Sequence, residues 1–340
     1  MEKQLFPATY IQFPPEYDNR RAAFYLAAEE YIAANMPEGN YMLTWQIGPT
    51  VVMGRNQDAK AEIDLHFCRT EGIDVIRRKS GGGSIYADRG NIMTSLITGK
   101  GAVEPIFAEY SEKMAECLSA LGADVEVSGR NDIRLSGGGK ICGNAFYHLS
   151  DSNIAHGTLL YDTNARLMRG ALTPERAKLQ SKGIKSVESR ISLLKDALPE
   201  VDIETLREHI RKYLSDRSIL LSDSEIQEIQ EIEKGYYSPD YLYGKDTTLI
   251  GEVHRSRERI EGCGTVSLEL YTVDGRVTAV NVGGDYFEFR NANTLFNKAF
   301  YGCNFRKETL LQAAKREQLH RCIRGLEETS LYKLMENLCG

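Results

Sequence analysis

The sequence predicts an α+β protein: a mixed sheet with helices packed on it, followed by a small C-terminal α+β domain. Three observations carry this. Between residues 124 and 161, strand-like runs follow one another with only turn residues between them, the mark of hairpins and not of an alternating βαβ parallel sheet. Helical runs lie before and after that stretch. Near residues 235–248 the composition shifts to YYSPDYLYGKD, rich in Tyr, Gly and Pro, and a second set of strands and helices begins beyond it. The domains are accordingly expected at 1–244 and 245–340.

Taken in order, residues 19–34 read as a helix rich in Ala, Glu, Leu and Tyr, with Asp18 placed to cap it. YMLTWQI and TVVMGR, joined by Gly48-Pro49, are β-rich runs. Residues 74–98 supply three further strands and end in NIMTSLIT. A helical pattern covers 105–121, and Gly122 stops it. The hairpin run DVEVS, DIRL, KICGNAFYH and IAHGTLLY follows. Residues 202–214 and 223–234 read as surface helices, the second capped by Ser222 or Asp223 and stopped by Gly235. In the small domain, TVSLELYTVDGRVTAVNV alternates apolar residues about Val273-Asp274-Gly275, a strong hairpin signal. Helices are expected there at 292–301, 307–323 and 329–338. There is no internal repeat, heptad run or low-complexity tract.

Composition excludes several functions. A net charge of −6 and a pI near 5.7, with Lys and Arg spread among acids, argue against a nucleic-acid binder. The seven cysteines are widely spaced and form no CxxC, so they make neither a disulfide framework nor a zinc site and fit a reducing cytosol. MEKQLFPATY has no apolar signal core, and no apolar run approaches the ~20 residues that span a bilayer. The expectation is a soluble cytoplasmic protein with no membrane partner.

The most informative stretch is DVIRRKSGGGSIYADRGN, residues 74–91. Val75 and Ile76 deliver Arg77 and Arg78 to Gly81, Gly82 and Gly83, whose backbone can close on a phosphate at little steric cost. The flanks read as strands on both sides, and there is neither GKS nor GKT nor GxGxxG, so no P-loop or dinucleotide fingerprint is present. A second cluster, GRNDIRLSGGGKICGNAFYH, spans 129–148 and places Arg130, Asp132 and Lys140 about a glycine turn. Asp132 and Lys140 reach the same end of one hairpin. A lysine ammonium there can neutralise an α-phosphate and a developing oxyanion together. Each cluster also reads as an ordinary turn with exposed charges. His156, in Ala155-His156-Gly157-Thr158, reads as a structural histidine when taken alone.

These segments resemble the lipoate–protein ligase family. RRKSGGGSIYADRGN, GRNDIRLSGGGKICGNAF, HGTLLYD and KLQSKGIKSVESR stand in the family's order, from about residue 20 to 195, and YLYGKD and VGGDYF extend the likeness more faintly. The resemblance implies a catalytic core related to biotin ligases and class II aminoacyl-tRNA synthetases, plus a C-terminal accessory domain. It implies a two-step reaction. Lipoate and MgATP give lipoyl-AMP and pyrophosphate, and the acyl group then passes to a lysine of an acceptor domain. Arg78, Gly83, Ser84, Ile85 and Tyr86 would hold ATP, with Ser80, Gly81 and Gly82 in the same segment. Lys140, the catalytic candidate, would contact the lipoyl carboxylate and the α-phosphate. Arg130, Asn131 and Asp132 fall at the family's GRND, Gly143 at its Lys-x-x-Gly, and His156, Gly157 and Thr158 at its HGT. Mg²⁺ ligands are not readable. The runs around 41–53 and 141–147 could line an apolar slot for lipoate.

Two departures stand out. Ala87 occupies the position where the family commonly has His, and the tryptophan often found before the small domain is replaced, Trp45 being the only one. A rival within the superfamily is an octanoyl or lipoyl transferase working through a thioester on Cys142, which strand alternation would put on the same face as Lys140. Biotin ligase is disfavoured because its Gly-Arg-Gly loop is absent. A non-catalytic cofactor-binding homologue is the rival from another class. The implied partner is a lipoyl-acceptor protein: a 2-oxoacid dehydrogenase subunit, a glycine-cleavage H protein or an H-like protein. The ligase is expected to be a monomer. Arg77, Lys79 and Arg89 are candidates for a basic rim that meets the acceptor.

Overall fold

The computed structural model describes residues 5–99, 101–129, 132–149, 151–172, 191–244 and 251–339. They fall into two compact units. Unit 1 comprises Met1–Met53, Ala59–Arg78 and Ile85–Leu242. Unit 2 comprises Tyr243–Gly340 together with two short segments, Gly54–Asp58 and Lys79–Ser84.

Unit 1 is built on an eight-stranded sheet. Its strands, in spatial order, are β11 (Ser215–Leu220), β1 (Ala8–Gln12), β2 (Tyr41–Trp45), β6 (Asn91–Thr98), β10 (Ser152–Leu160), β9 (Lys140–Leu149), β8 (Asp132–Leu135) and β7 (Val125–Ser128). From β2 to β7 every pairing is antiparallel, as the hairpin run predicts. β1 and β11 add two parallel pairings at the other edge. Neither strand is foreseen in the sequence: β1 is a five-residue run set between prolines, and β11 carries Asp216 and Arg217 within it. A second sheet of three strands sets β3 (Thr50–Met53) between β4 (Asp74–Arg77) and β5 (Ile85–Ala87).

Helix α1 (Ala22–Asn35) is almost wholly buried, because it lies between the large sheet and the later helix α8 (Asp223–Tyr236). A helix apolar on nearly all sides has to be covered on both. Asp18 does not cap it. Asn19 takes a left-handed φ of 64°, the N-cap is Arg21, and no side chain caps the first turn. The short helices α2 (Ala59–Glu62), α3 (Leu65–Thr70) and α5 (Ala165–Ala171) cover one side of the small sheet. On the other face of the large sheet lies α4 (Val103–Ala120), which ends where Gly122 takes φ +98°. α6 (Leu194–Ala197) is brief, and α7 (Ile203–Leu214) is capped by Asp202. α8 carries a full capping box between Ser222 and Glu225 and runs through Gly235 to Tyr236, because that glycine keeps helical backbone. α9 (Pro239–Tyr243) follows.

Unit 2 is a three-stranded antiparallel sheet, β12 (Glu252–Ile260), β13 (Gly264–Val273) and β14 (Arg276–Gly284), with one face buried by α10 (Ala292–Phe300), α11 (Lys307–Arg316) and α12 (Glu328–Cys339). Asp274 and Gly275, both at positive φ (49° and 69°), make the turn that their sequence announced. The run expected to be helical over 307–323 breaks at Gln318, at φ 50°, into α11 and a 3₁₀ turn.

Candidate functional site

Register decides which side chains can meet. Trp45 pairs with Met93, Met93 with Thr158, Thr158 with Gly143 and Gly143 with Asp132, so one row crosses five strands on the face that carries α1. The Lys140 ammonium sits over this row, 2.7 Å from Asp132 Oδ1, both partly exposed. Gly143 makes that pose available: a Cβ there would lie 2.4 Å from Lys140 Nζ.

The alternation that would put Cys142 beside Lys140 fails for a definite reason. Ile133 pairs with Cys142 and Arg134 with Lys140, so Ile141 is an extra residue and the strand bulges there. Lys140 thereby joins the face of Gly143 and Asp132, while Cys142 stays with Ile133 on the reverse face, against α4. Its Sγ donates to Asn144 Oδ1 at 3.3 Å, and burial pushes the thiol up to about 12. A buried, protonated thiol on the wrong face is no nucleophile. Gly157 also faces that side, where a Cβ would meet Asn144 Oδ1 at 2.2 Å.

Deeper on the Lys140 face lies a buried polar network that the sequence did not reveal. The Glu29 carboxylate, fully buried on α1, accepts from Ser95 Oγ at 2.6 Å and from Tyr147 Oη at 3.4 Å. His156 Nδ1 lies 3.1 Å from both Glu29 oxygens, and Trp45 Nε1 donates to Ser95 Oγ at 3.1 Å. Glu29 sits in an alanine-rich helix whose pattern reads as plain core, and only its burial beside Ser95 and His156 marks it out. Arg78 enters the same region, its Nη1 donating to Val52 O at 2.9 Å. Burial pulls its guanidinium down to about 10, with Tyr241 and Glu29 acting against that shift. Arg77 is buried as well. Its Nε and Nη2 donate to the carbonyls of Tyr241 and Leu242 at 2.7–3.0 Å, so it is not part of an exposed basic rim. Arg89 is exposed and donates to Asn19 Oδ1, whereas Lys79 is only partly exposed.

Two family models match. Residues 21–215 fit the lipoyl protein ligase A/B catalytic domain, and residues 253–335 fit the bacterial lipoate protein ligase C-terminus. The chain belongs to the lipoate–protein ligase family. It is 30% identical over 318 residues to lipoate–protein ligase 1 of Staphylococcus aureus, covering 91% of this chain and 95% of that one. Among solved structures, P. falciparum LipL1 in complex with lipoate superposes with a TM-score of 0.74 at 18% identity, over 96% of this chain and 99% of that one. A lipoate–protein ligase A bound with ATP gives 0.60 at 20% identity, over 70% and 98%. These two likenesses establish the fold.

The other site residues that this ligase sequence singles out are distributed as follows. Ser80, Gly81, Gly82, Gly83 and Ser84 are grouped with unit 2. The Gly82 amide donates to Tyr286 O at 2.9 Å, and a Cβ on Gly81 would lie 2.3 Å from that same oxygen. Ser84 Oγ donates to Gln57 Oε1 at 2.8 Å. The Tyr86 side chain is buried in the core of the small sheet with Val51 and Met53, and Ile85 packs on the opposite side. Ala87 is fully buried in the core around α1. Arg130, Asn131 and the KLQSKGIKSVESR segment lie outside the described residues. Among the described residues no three acidic, His or Cys groups gather to hold a metal, and no helix is long and apolar enough to cross a membrane.

Proposed function

We propose that this chain is an ATP-dependent lipoate–protein ligase that converts free lipoate to lipoyl-AMP and transfers the lipoyl group to a lysine of an acceptor domain. The observation that carries the reading is the placement of Lys140, folded over Gly143 onto the Asp132 face while Cys142 is turned away.

The chemistry follows from charge. A carboxylate attacking an α-phosphate brings two anions together, and fixed cations in a water-poor cleft offset that repulsion. Lys140 meets the lipoyl carboxylate and the α-phosphate, and Arg78 supplies a second, buried cation. Asp132 holds the Lys140 ammonium before substrate enters. Trp45, Met93 and Tyr147, on the same face, line the slot for lipoate's apolar arm and dithiolane. Mg²⁺ would enter with the nucleotide; Asp132, the carboxylate beside Lys140, would help to hold it, and the ion would offset negative charge on the phosphates. In the second step the acceptor's neutral amine attacks the acyl carbon, the new amide forms as the amine gives up a proton to solvent, and AMP leaves with the electrons of the anhydride bond. Residues 1–244 act as the catalytic domain and 245–340 as the accessory domain. The acceptor is a 2-oxoacid dehydrogenase subunit, an H protein or an H-like protein, met in the cytoplasm by a monomeric ligase.

With ATP, Mg²⁺ and free lipoate, the purified protein should release pyrophosphate and accumulate lipoyl-AMP. Acylation of an acceptor that needs an octanoyl carrier and no free lipoate would establish a transferase in its place.

A further inference from the structure

Lys140 is held by more than its carboxylate. Beyond the hairpin the chain returns alongside the start of β9. Lys140 and Ile191 form an isolated parallel bridge, and the Ser192 amide donates to the Lys140 carbonyl at 2.9 Å. The Gly139 amide in turn donates to Ser192 Oγ at 2.8 Å. This explains the second triglycine. Gly137, at φ +68°, turns the hairpin. Gly139 is small because a later segment of the same chain crosses it: a Cβ there would lie 2.5 Å from the Ile191 carbonyl carbon and 2.8 Å from the Ser192 amide nitrogen. Ser192 therefore bonds the residue before the catalytic lysine through its side chain and the lysine itself through its backbone.

We infer that Ser192 is a positioning residue for Lys140. The inference rests on the reading of Lys140 as the group that meets the carboxylate and the α-phosphate. A lysine stem has four rotatable bonds, so the place of its ammonium depends on how firmly its Cα is set. On one side the Cα is set by the bulge at Ile141 and the pairing of β8 with β9. On the other it is set by the Ser192 clamp. Removing the hydroxyl leaves the Gly139 N–H without its acceptor and frees the first residue of the strand, while the packed core around β9 is untouched.

The test compares wild type with Ser192→Ala, Ser192→Thr, Gly139→Ala and the Ser192→Ala/Gly139→Ala double variant. Two quantities are read: lipoate-dependent pyrophosphate release, and the rate at which an amine-specific reagent labels Lys140 in the substrate-free protein. Ser192→Ala should slow pyrophosphate release roughly ten- to a hundredfold, the scale of a misplacement of about an ångström. It should also speed Lys140 labelling. Ser192→Thr should restore both, and the double variant should be no worse than Gly139→Ala. Wild-type release and wild-type labelling in Ser192→Ala would overturn the clamp. Absence of pyrophosphate from the wild type would overturn the ligase reading, and the labelling rates would still decide the clamp.

Discussion

Cys142 and Lys140 stand two positions apart in sequence, yet the bulge at Ile141 sends them to opposite faces of one sheet. The thiol side has its own chemistry. Burial pushes Cys117 and Cys142 each up to about 12. An unfolded thiol titrates near ~8.5, so the native state holds a proton that the unfolded chain has already lost. The stability is fully present below ~8.5 and is lost as pH rises toward about 12, at about 1.4 kcal/mol per pH unit for each such thiol. The urea midpoint should therefore fall between pH 7 and pH 10, and equal midpoints would contradict the burial of these groups. Gly157→Ala tests the same face by packing. Its Cβ would sit 2.2 Å from Asn144 Oδ1 and 3.0 Å from Tyr110 Oη, an overpacking that costs ~1–3 kcal/mol in a denaturant titration.

At the scale of elements, the legible parts were those whose signal is local. The Asp274-Gly275 turn, the Ser222 cap and the meander from β7 to β10 are each written in a few adjacent residues. Ser222→Ala should thus cost ~1 kcal/mol in thermal or urea unfolding, with no change in activity. What could not be read depends on residues distant in sequence. β11 is a strand because β1 gives it a partner two hundred residues away, and β1 lies between β11 and β2. Asp18 looked like a cap, but the chain takes an extra turn through Asn19 before α1 begins. The motifs found Lys140, Asp132 and Arg78, whereas Glu29 and Ser192 carry no motif. Burial reveals the first and a chain crossing reveals the second. The bulge at Ile141 is equally silent, since alternation assumes that no residue is inserted.

At the scale of the whole molecule, the glycine segment has a partner already. The Gly82 amide is engaged with Tyr286 O, so binding a phosphate requires it to exchange that partner. Adenylate formation is expected to change the arrangement of the two units about the 235–248 stretch, of which 245–248 lie outside the described residues, because substrates must be enclosed for the first step and the acceptor admitted for the second. Identical scattering profiles with and without a non-hydrolysable lipoyl-AMP mimic would contradict this. Docking of the acceptor should depend on the exposed Arg89 and not on the buried Arg77. Charge reversal at Arg89 is expected to raise the acceptor's KM more than that of lipoate, and an unchanged acceptor KM would remove Arg89 from the docking surface. On the proposed reading, ATP activates lipoate on the Lys140 face of the sheet. Lipoate-dependent pyrophosphate release by Lys140→Ala and Cys142→Ser tests it most directly. The account predicts a loss of ~10²–10³ in rate for Lys140→Ala and near wild-type rate for Cys142→Ser. The reverse pattern, an inactive serine variant beside an active alanine variant, would contradict it.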